Sequence, residues 1–454
     1  MVPINNALLV HGSNQLGQLG TGDFEKREKP TKVDLPSGVS VRKVACGFAH
    51  TIVMGLISDE LSNELNNNEG IQHQAGVSSM LCLLGCGTNS CSQLGQSGSS
   101  FNDTEILNFS PVQNSKCLQE MGSIFCGCNF TMIFSKDGKS LHAMGDNANG
   151  QIGLRNWLEV SMPNPVPLKA LQSSVTNELD TIVKVFCGFD HTSVLCESGS
   201  VYSTGKNNFK ELGFATCVIQ NDSQYTLVRV ACLDSILQPN ERVEMIAYGE
   251  NHSLLLLRNN RTNTDRLIAC GDNKYGNIGL RASVPSVSSF TPVEIDNLQS
   301  EQHISKIACG EFHSAVLFQN GEVWMTGKNS ERQLGFSNLD NYSFTKIDVF
   351  GLAIGDIALG NSHSIFISAL SRQVMFGSGR GFDQYISQKC TLQRIDFGKE
   401  NSHMLVNHAI CGGLHTVFYR DQEMEDGLSP QRMKHKLLTC LRRNFLNDIS
   451  ITRE

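Results

Sequence analysis

The sequence predicts an all-β protein, a seven-bladed β-propeller closed by pairing of its N- and C-terminal strands, with a short C-terminal helical tail. Three observations lead to this prediction. Two short signatures recur about seven times each, strand-like apolar runs lie between them, and each end of the chain carries half of one repeat. We therefore divide the chain into a propeller, residues 1–420, and a tail, residues 421–454.

The first signature reads C-G-x-x-H-T, as in KVACGFAHTIVM at residues 43–54. Its glycine recurs seven times, as Gly47, Gly127, Gly188, Gly249, Gly310, Gly360 and Gly412. A histidine follows three residues later in six copies, at His50, His191, His252, His313, His363 and His415. Phe130 replaces it in the second copy, and Thr or Ser comes next in all seven. Such recurrence predicts equivalent corners of one repeated unit.

The second signature lies between copies of the first and reads G-x-N-x-x-x-Q-L-G, for example GSNQLGQLG at 12–20 and GKNSERQLG at 327–335. In the seventh unit, FGSGRGFDQYI from residue 376, the pattern keeps Gly377 and loses the rest. The segment lacks the residue order of a P-loop. We therefore expect its first glycine to permit a tight turn and its Asn side chain to satisfy nearby backbone groups.

The runs between the signatures have strand composition. They are short and rich in β-branched and aromatic residues, as in TIVKVFCG, HTSVLC and SVYSTG of the third unit. S-K-D-G, C-E-S-G and Q-N-G steps at 135–138, 196–199 and 319–321 predict hairpin turns. Each unit is thus a small antiparallel sheet, and seven sheets arranged radially form a propeller.

The ends of the chain predict how the ring closes. The last first-signature copy, CGGLHTVFY at 411–419, has no second signature after it, and the chain starts with one, ALLVHGSNQLGQLG. The N-terminal strand can therefore complete the last blade and remove the open edge.

Composition narrows the function classes. The net charge of −7 gives no global attraction to nucleic acid or anionic lipid, and no apolar run approaches the roughly 20 residues that span a membrane. No export signal precedes the repeats, so we expect a monomer in the cytoplasm, with the nucleus as an alternative, and reduced cysteines.

The histidines and cysteines invite a metal or nucleophile interpretation. The Phe130 replacement favours packing and hydrogen bonding for the histidines, since a ligand would not be exchanged for phenylalanine. The cysteine before the glycine is replaced by Tyr248 and Leu359 in two copies, which indicates a core position. We expect no metal, no cofactor and no covalent catalytic site.

The two signatures resemble those of the regulator of chromosome condensation repeat family, over about residues 7–420. The resemblance implies a seven-bladed propeller. The founding member is a guanine-nucleotide exchange factor for a small nuclear GTPase, and other members work in secretion, cilia, ubiquitylation and translation-factor modification. The phenylalanine in the second copy is similar to the secretion-regulating exchange factor type.

Equivalent positions of a propeller share one face, so differences between copies map a surface. The two positions between the glycine and the histidine carry acids in three successive units, Asp190, Glu250 and Glu311. The resemblance implies that acids in this loop contact a GTPase. We predict these acids, with Asn251 and Asn361 of the same loops, as partner-binding residues; the alternative is that they only keep the surface hydrated.

Two insertions and the tail depart from the repeat. Residues 56–79 predict a polar loop, and residues 214–243 lengthen the connection into the fourth unit; either could bind a partner or have drifted neutrally. In the tail, Leu437, Leu438, Leu441 and Phe445 lie at helical spacing among five basic residues, which predicts an amphipathic helix. Docking on the propeller, a partner site and a nuclear-import signal are all consistent with it.

The function predicted from these observations is protein binding, with regulation of or guanine-nucleotide exchange on a small GTPase. The alternative is a non-catalytic adaptor in ubiquitylation, trafficking or translation-factor modification. Nucleic acid is not an expected partner, because a basic N-terminal arm is missing.

Overall fold

A computed structural model describes residues 7–58, 79–95, 104–112, 121–172, 178–214, 223–295, 302–336, 339–370, 375–382, 392–399, 401 and 406–420. It contains seven four-stranded sheets in which neighbouring strands pair antiparallel. The predicted propeller is confirmed, and the predicted tail, residues 421–454, lies outside the described residues.

We number the sheets as blades 1 to 7, with the innermost strand first. Blade 1 comprises β3 (Val39–Cys46), β4 (His50–Ser58), β5 (Ser79–Thr88) and β6 (Glu105–Pro111). Blade 2 comprises β7 (Met121–Cys126), β8 (Phe130–Ser135), β9 (Leu141–Gly145) and β10 (Val160–Pro165). Blade 3 comprises β11 (Ile182–Cys187), β12 (His191–Cys196), β13 (Val201–Lys206) and β14 (Ser223–Arg229). Blade 4 comprises β15 (Glu241–Tyr248), β16 (His252–Asn259), β17 (Thr264–Asp272) and β18 (Ser286–Val293).

The remaining blades follow the same order. Blade 5 comprises β19 (Ile304–Cys309), β20 (His313–Phe318), β21 (Val323–Gly327) and β22 (Asn341–Ile347). Blade 6 comprises β23 (Ile354–Leu359), β24 (His363–Ser368), β25 (Met375–Gly379) and β26 (Gln393–Arg394). Blade 7 comprises β27 (His408–Cys411), β28 (His415–Tyr419), β1 (Ala7–Gly12) and β2 (Arg27–Asp34). One helical turn, Leu233–Ile236, and one 3₁₀ turn, Lys169–Leu171, complete the described elements.

The ring closes as predicted, because β1 lies between β28 and β2 in blade 7. Leu9 is opposite Phe418 on one side and Lys32 on the other. Leu8 and Val10 pack in the core shared with blade 1, whereas Leu9 packs in the core shared with blade 6. Because successive side chains of a strand point to opposite faces of the sheet, β1 contributes to the apolar cores on both sides of its blade.

The core consists of separate apolar clusters between neighbouring blades. The second strands are its centre, since every residue of β12, β20 and β24 is buried. Outer strands such as β10 are mostly exposed and carry prolines, which protects these edges from pairing with other chains. No helix among the residues described above has the length and apolar composition to cross a membrane.

Two faces result from this arrangement. The motif face carries the loops that follow the first and third strands of each blade, which hold the two signatures. The hairpin face, on the opposite side, carries the second-to-third strand turns and the connections between blades. The predicted hairpin glycines Gly138, Gly199 and Gly321 lie there with φ of 72°, 86° and 86°, which only glycine adopts easily.

The insertions were only partly anticipated. Residues 214–243 are not simply a long connection, because they contain outer strand β14, the helical turn and the start of β15. Residues 56–58 and 79 extend strands β4 and β5, and the rest of the 56–79 insertion lies outside the described residues.

Candidate partner-binding face

The first-signature loops join one another around the propeller axis. The backbone N–H of Phe48 donates to the carbonyl of Cys128 at 2.9 Å, and Cys128 N–H donates to Phe189 at 2.9 Å. Three further bonds of this kind are Glu250 to Glu311, Asn361 to Gly413 and Gly413 to Phe48. In the described part of the chain, the seven loops therefore form a hydrogen-bonded ring around the channel mouth, interrupted between blades 3 and 4 and between blades 5 and 6.

The signature glycine is required by this close approach. A Cβ atom on Gly310 would lie 2.3 Å from the carbonyl oxygen of Gly360, and one on Gly412 would lie 2.5 Å from that of Gly47. Such distances are shorter than any van der Waals contact, so the backbones of successive blades meet where a side chain would stand.

The signature histidines link each blade to the next. His Nε2 lies within hydrogen-bond distance of the hydroxyl that follows the next histidine position, in the pairs His50–Thr131 (3.3 Å), His252–Ser314 (2.9 Å), His313–Ser364 (3.0 Å), His363–Thr416 (3.0 Å) and His415–Thr51 (3.1 Å). Five of the six signature histidines therefore lie where the expected hydrogen bond can form.

The direction of these bonds follows from the hydroxyl. Thr131 donates its single proton to the carbonyl of Gln93 at 2.8 Å, and Ser364 donates to Gln333 at 2.8 Å. Each hydroxyl must therefore accept from His Nε2–H. Burial lowers the pKa of His50 to about 3, so the ring is neutral and its Nδ1 carries the lone pair.

Two seams lack this histidine bond. Phe130 has no proton to give to Thr192, whose hydroxyl contacts, among the described residues, only Sγ of Cys187 at 3.9 Å. His191 packs edge-on against Tyr248 with ring centroids 4.4 Å apart, and neither of its ring nitrogens has a partner within the described ranges. The Tyr248 hydroxyl instead crosses the seam between blades 3 and 4 and bonds Ser193 at 2.5 Å.

The second signature is anchored to the first. Its leading glycine has φ between 91° and 112° in all seven units, and the next residue donates its N–H to the carbonyl before the histidine, as in Lys206 to Asp190 at 2.8 Å. In blade 6 this glycine is Gly379, which pairs with His363. The assignment of Gly377 was wrong; Gly377 packs against the ring of Phe382.

The Asn side chain of the signature caps its own loop, as predicted. Asn14 Oδ1 accepts from Leu19 N–H at 2.9 Å, and Asn329 Oδ1 accepts from Leu334 N–H at 2.9 Å. Glu211 takes the place of the signature Gln in blade 3 and is fully buried, with no partner for Oε1 among the described residues. Burial raises the pKa of this carboxyl.

The first-signature loops surround a shallow cavity of about 150 Å³ at the channel mouth. Cys46, Cys126, Cys187, Cys309 and Cys411 line its wall with Tyr248 and Leu359, so these cysteines are partly buried at the channel and not enclosed in the core. Burial raises the pKa of the Cys126 and Cys309 thiols to about 12, so they stay protonated and unreactive. Across the residues that the structure describes, no group of three or more His, Cys, Asp and Glu side chains is arranged to hold a metal ion.

The predicted acids lie in the loops around this mouth, and of the three only Glu311 lines the cavity itself. Asp190, Glu250 and Glu311 are half-buried in the loops of blades 3, 4 and 5. Burial raises the pKa of Asp190 and of Glu311; the charge of Glu250 adds to both shifts, while Lys206 and Lys328 oppose them. The three carboxylates therefore share one partly desolvated sector, which favours a cationic group from outside.

The two predicted asparagines differ from each other. Asn361 is half-buried and lines the cavity. Asn251 is only 7% exposed, and its Oδ1 accepts a hydrogen bond from Lys206 at 3.1 Å. Asn251 therefore positions Lys206 beside Asp190 and presents little surface of its own.

Aromatic residues on the motif face were missed from the sequence. Phe48 and Phe209 are 39% and 41% exposed, and Trp157 and Leu158 are 69% and 61% exposed. Lys328 lies over the rings of Phe312 and Tyr275 at 5.3 and 5.4 Å. The variable positions of the second signature differ between units, and that comparison points to Phe209. Trp157 follows the signature of its unit and carries no such signal.

The loop that carries Trp157 and Leu158 is fixed by hydrogen bonds to its backbone. The side-chain amide of Asn147 donates to the carbonyl of Asn156 at 2.6 Å, and Asn156 Oδ1 accepts from Leu158 N–H at 3.1 Å. Arg155 adopts a positive φ of 65° and donates its N–H to Tyr225 at 2.8 Å. These bonds keep both apolar side chains on the motif face.

With this geometry established, comparison with known proteins identifies the family. Residues 65–423 match the model of the RCC1-like domain, and residues 5–54 match that of the regulator of chromosome condensation (RCC1) repeat. The chain belongs to the RCC1 repeat family. The predicted family is thereby confirmed over most of the chain.

Individual members of the family are distant from this chain. The human X-linked retinitis pigmentosa GTPase regulator is 27% identical over 69% of this chain and 30% of its own length. The human protein named "Probable E3 ubiquitin-protein ligase HERC6" is 27% identical over 65% of this chain and 27% of its own. The chain thus spans less than a third of these two relatives. The structure of Prp20p from Saccharomyces cerevisiae is similar with a TM-score of 0.67 and 19% identity, covering 98% of this chain and 95% of that one.

Proposed function

We propose that this protein binds a small GTPase through the motif face and promotes release of its guanine nucleotide. The observation that carries the proposal is the half-buried trio Asp190, Glu250 and Glu311 at the channel mouth. Relatives give independent support: one is named a GTPase regulator, and Prp20p is described with binding properties to Gsp1p and histones.

The mechanism we propose needs no covalent chemistry. A protein that binds the nucleotide-free GTPase more tightly than the loaded form shifts the equilibrium toward nucleotide release. Carboxylates from a partly desolvated site can attract the lysine that otherwise holds the nucleotide phosphates. The exposed side chains of Phe48, Phe209, Trp157 and Leu158 would provide apolar contact around the acids.

The test is release of fluorescent GDP from a panel of purified small GTPases. We expect the wild-type protein to accelerate release from at least one of them. The triple variant Asp190→Asn, Glu250→Gln, Glu311→Gln should lower that acceleration at least about tenfold, the loss expected when charged contacts worth about 1.4 kcal/mol or more are removed.

A control with the same net charge separates the site from global electrostatics. Asp34, Asp137 and Glu197 are exposed acids away from the motif face, and Asp34→Asn, Asp137→Asn, Glu197→Gln should leave exchange unchanged. Equal activity of the two triple variants would exclude the acidic sector as the binding site.

A second candidate function is a non-catalytic adaptor, which the ubiquitin-ligase relative favours. An adaptor would bind its partner through the same exposed aromatic residues without accelerating nucleotide release. Stable capture of a partner that depends on Trp157, with no exchange on any GTPase, would decide for the adaptor. The cytoplasm, with the nucleus as alternative, remains the compartment we propose.

A further inference from the structure

An exposed apolar patch lies on the hairpin face, away from the proposed GTPase site. It consists of Phe350 and Leu370, which are 53% and 61% exposed at the seam between blades 5 and 6. The two segments are joined, because Ala369 N–H donates to the carbonyl of Ala353 at 2.9 Å, and the Phe350 ring lies 5.1 Å from that of Phe376. We call this pair the hairpin-face patch.

Phe350 is held in an unfavourable backbone conformation. Its φ is 55°, in the left-handed region that bulky residues avoid. Two hydrogen bonds hold the loop on either side of this residue: Gly351 N–H donates to Asp348 Oδ1 at 2.7 Å, and Leu352 N–H donates to the Val349 carbonyl at 3.0 Å. The loop thus keeps an aromatic side chain at the surface in a strained conformation.

The C-terminal tail leaves the propeller on the same face. Strand β28 starts at His415 on the motif face and ends at Tyr419 on the hairpin face, in blade 7 next to blade 6. Sixteen residues, 421–436, separate the described propeller from the apolar run at Leu437. Extended chain covers about 3.3 Å per residue, so this connection spans up to about 50 Å, more than a blade or two requires.

The tail and the patch are chemically complementary. The tail carries Leu437, Leu438, Leu441 and Phe445 at helical spacing, with Arg432, Lys434, Lys436, Arg442 and Arg443 beside them. An exposed acid, Asp348, lies in the same loop as Phe350. An apolar stripe flanked by cations fits an apolar patch beside a carboxylate.

We propose that residues 428–448 dock as an amphipathic helix on the hairpin-face patch, with Leu441 and Phe445 covering Phe350 and Leu370. This contact is independent of the proposed exchange function and leaves the motif face open. It makes the tail part of the folded protein and gives the strained Phe350 a buried environment.

The experiment is hydrogen–deuterium exchange of the full chain, followed by mass spectrometry. We expect amides of 436–446 to exchange at least about tenfold more slowly than an unstructured peptide, as for a helix held by tertiary contact. Phe350→Ser with Leu370→Ser should abolish that protection. The matched control is Phe24→Ser with Leu339→Ser, which alters exposed side chains of the motif face and should leave the tail protected.

The reciprocal variant keeps the test valid if the patch variant unfolds. Leu441→Ser with Phe445→Ser lies outside the propeller and should speed exchange of residues 348–353 while the blades keep their protection. A tail that exchanges at the unstructured rate in the wild-type protein would overturn the proposal. So would a tail that stays protected in a folded Phe350→Ser, Leu370→Ser variant, since it would then be bound elsewhere.

Discussion

At the residue scale, the repeat depends on a hydrogen bond with a fixed direction between neighbouring blades. Each bonded signature histidine is neutral and donates its Nε2 proton to a hydroxyl of the next blade. That hydroxyl in turn donates its own proton to a loop carbonyl. The arrangement needs a donor with a proton and an acceptor with a lone pair at the seam, which is why the histidine and the following Ser or Thr recur together.

Replacing one such hydroxyl should therefore cost stability in a way that depends on its seam. Thr131→Val leaves both the His50 Nε2–H and the Gln93 carbonyl unpartnered, so we expect a loss of about 2 kcal/mol or more in the free energy of unfolding. Thr192→Val is the matched control at the Phe130 seam, where the described contacts of the hydroxyl are to sulfur alone, and should cost less than about 1 kcal/mol. Denaturant titration measures both; equal losses would contradict the role assigned to the histidine.

The buried histidines also set a pH dependence. Burial lowers the pKa of the six signature histidines to about 3 and that of His11 to about 4. Below about pH 6.5 these histidines are protonated in the unfolded chain but stay neutral in the folded protein. The free energy of unfolding therefore falls as the pH drops, by up to about 1.4 kcal/mol per pH unit for each histidine. The raised carboxyls Asp190, Glu211 and Glu311 act in the opposite sense and offset part of the loss.

We expect the free energy of unfolding to decline steeply between about pH 6.5 and 5, a range set by the unfolded-state pKa of histidine. The substitution His50→Phe gives blade 1 the residue that blade 2 has at Phe130. It should reduce the slope of the unfolding free energy against pH by about 1.4 kcal/mol per pH unit, the contribution of one proton. Denaturant midpoints measured at half-unit pH intervals provide the check. A stability that does not change across this range would show that the histidines are not buried and neutral.

At the scale of elements, β1 has the most demanding position. It pairs with two strands, and its alternate residues Leu8 and Leu9 are both fully buried in different seams. We expect deletion of residues 1–12 to prevent cooperative folding, because each lost buried leucine alone costs about 2–5 kcal/mol. Thermal unfolding followed by circular dichroism tests this. A sharp transition within a few degrees of the wild-type value would mean that β1 does not close the ring.

Elements were predictable where the sequence repeats. Gly310 and its equivalents lie at strand ends where close backbone contacts allow no side chain, so they mark those ends directly. β14 was missed because SQYTLVR carries neither signature. Gly379 was missed because Arg380 and Gly381 replace the residues that identify the turn elsewhere.

At the scale of the whole molecule, the placement of equivalent residues on one face was predictable. In a ring of repeated blades, the same position of each unit lies at the same level along the propeller axis. The role of each side chain was not. Asn251 is turned toward Lys206, and the exposure of Trp157 results from how Asn156 and Arg155 hold their loop. Such details depend on contacts between blades that are remote in sequence.

The seams of the ring are not equal. Among the described residues, the junction of blades 3 and 4 has neither the histidine bond nor the bond between first-signature loops that other junctions show. It relies on the Tyr248 hydroxyl and on two lysine contacts, Lys206–Asn251 and Lys184–Glu244. Asp190 lies in the loop at this junction. If a partner binds this carboxylate as proposed, it contacts the ring beside the junction that lacks both kinds of bond.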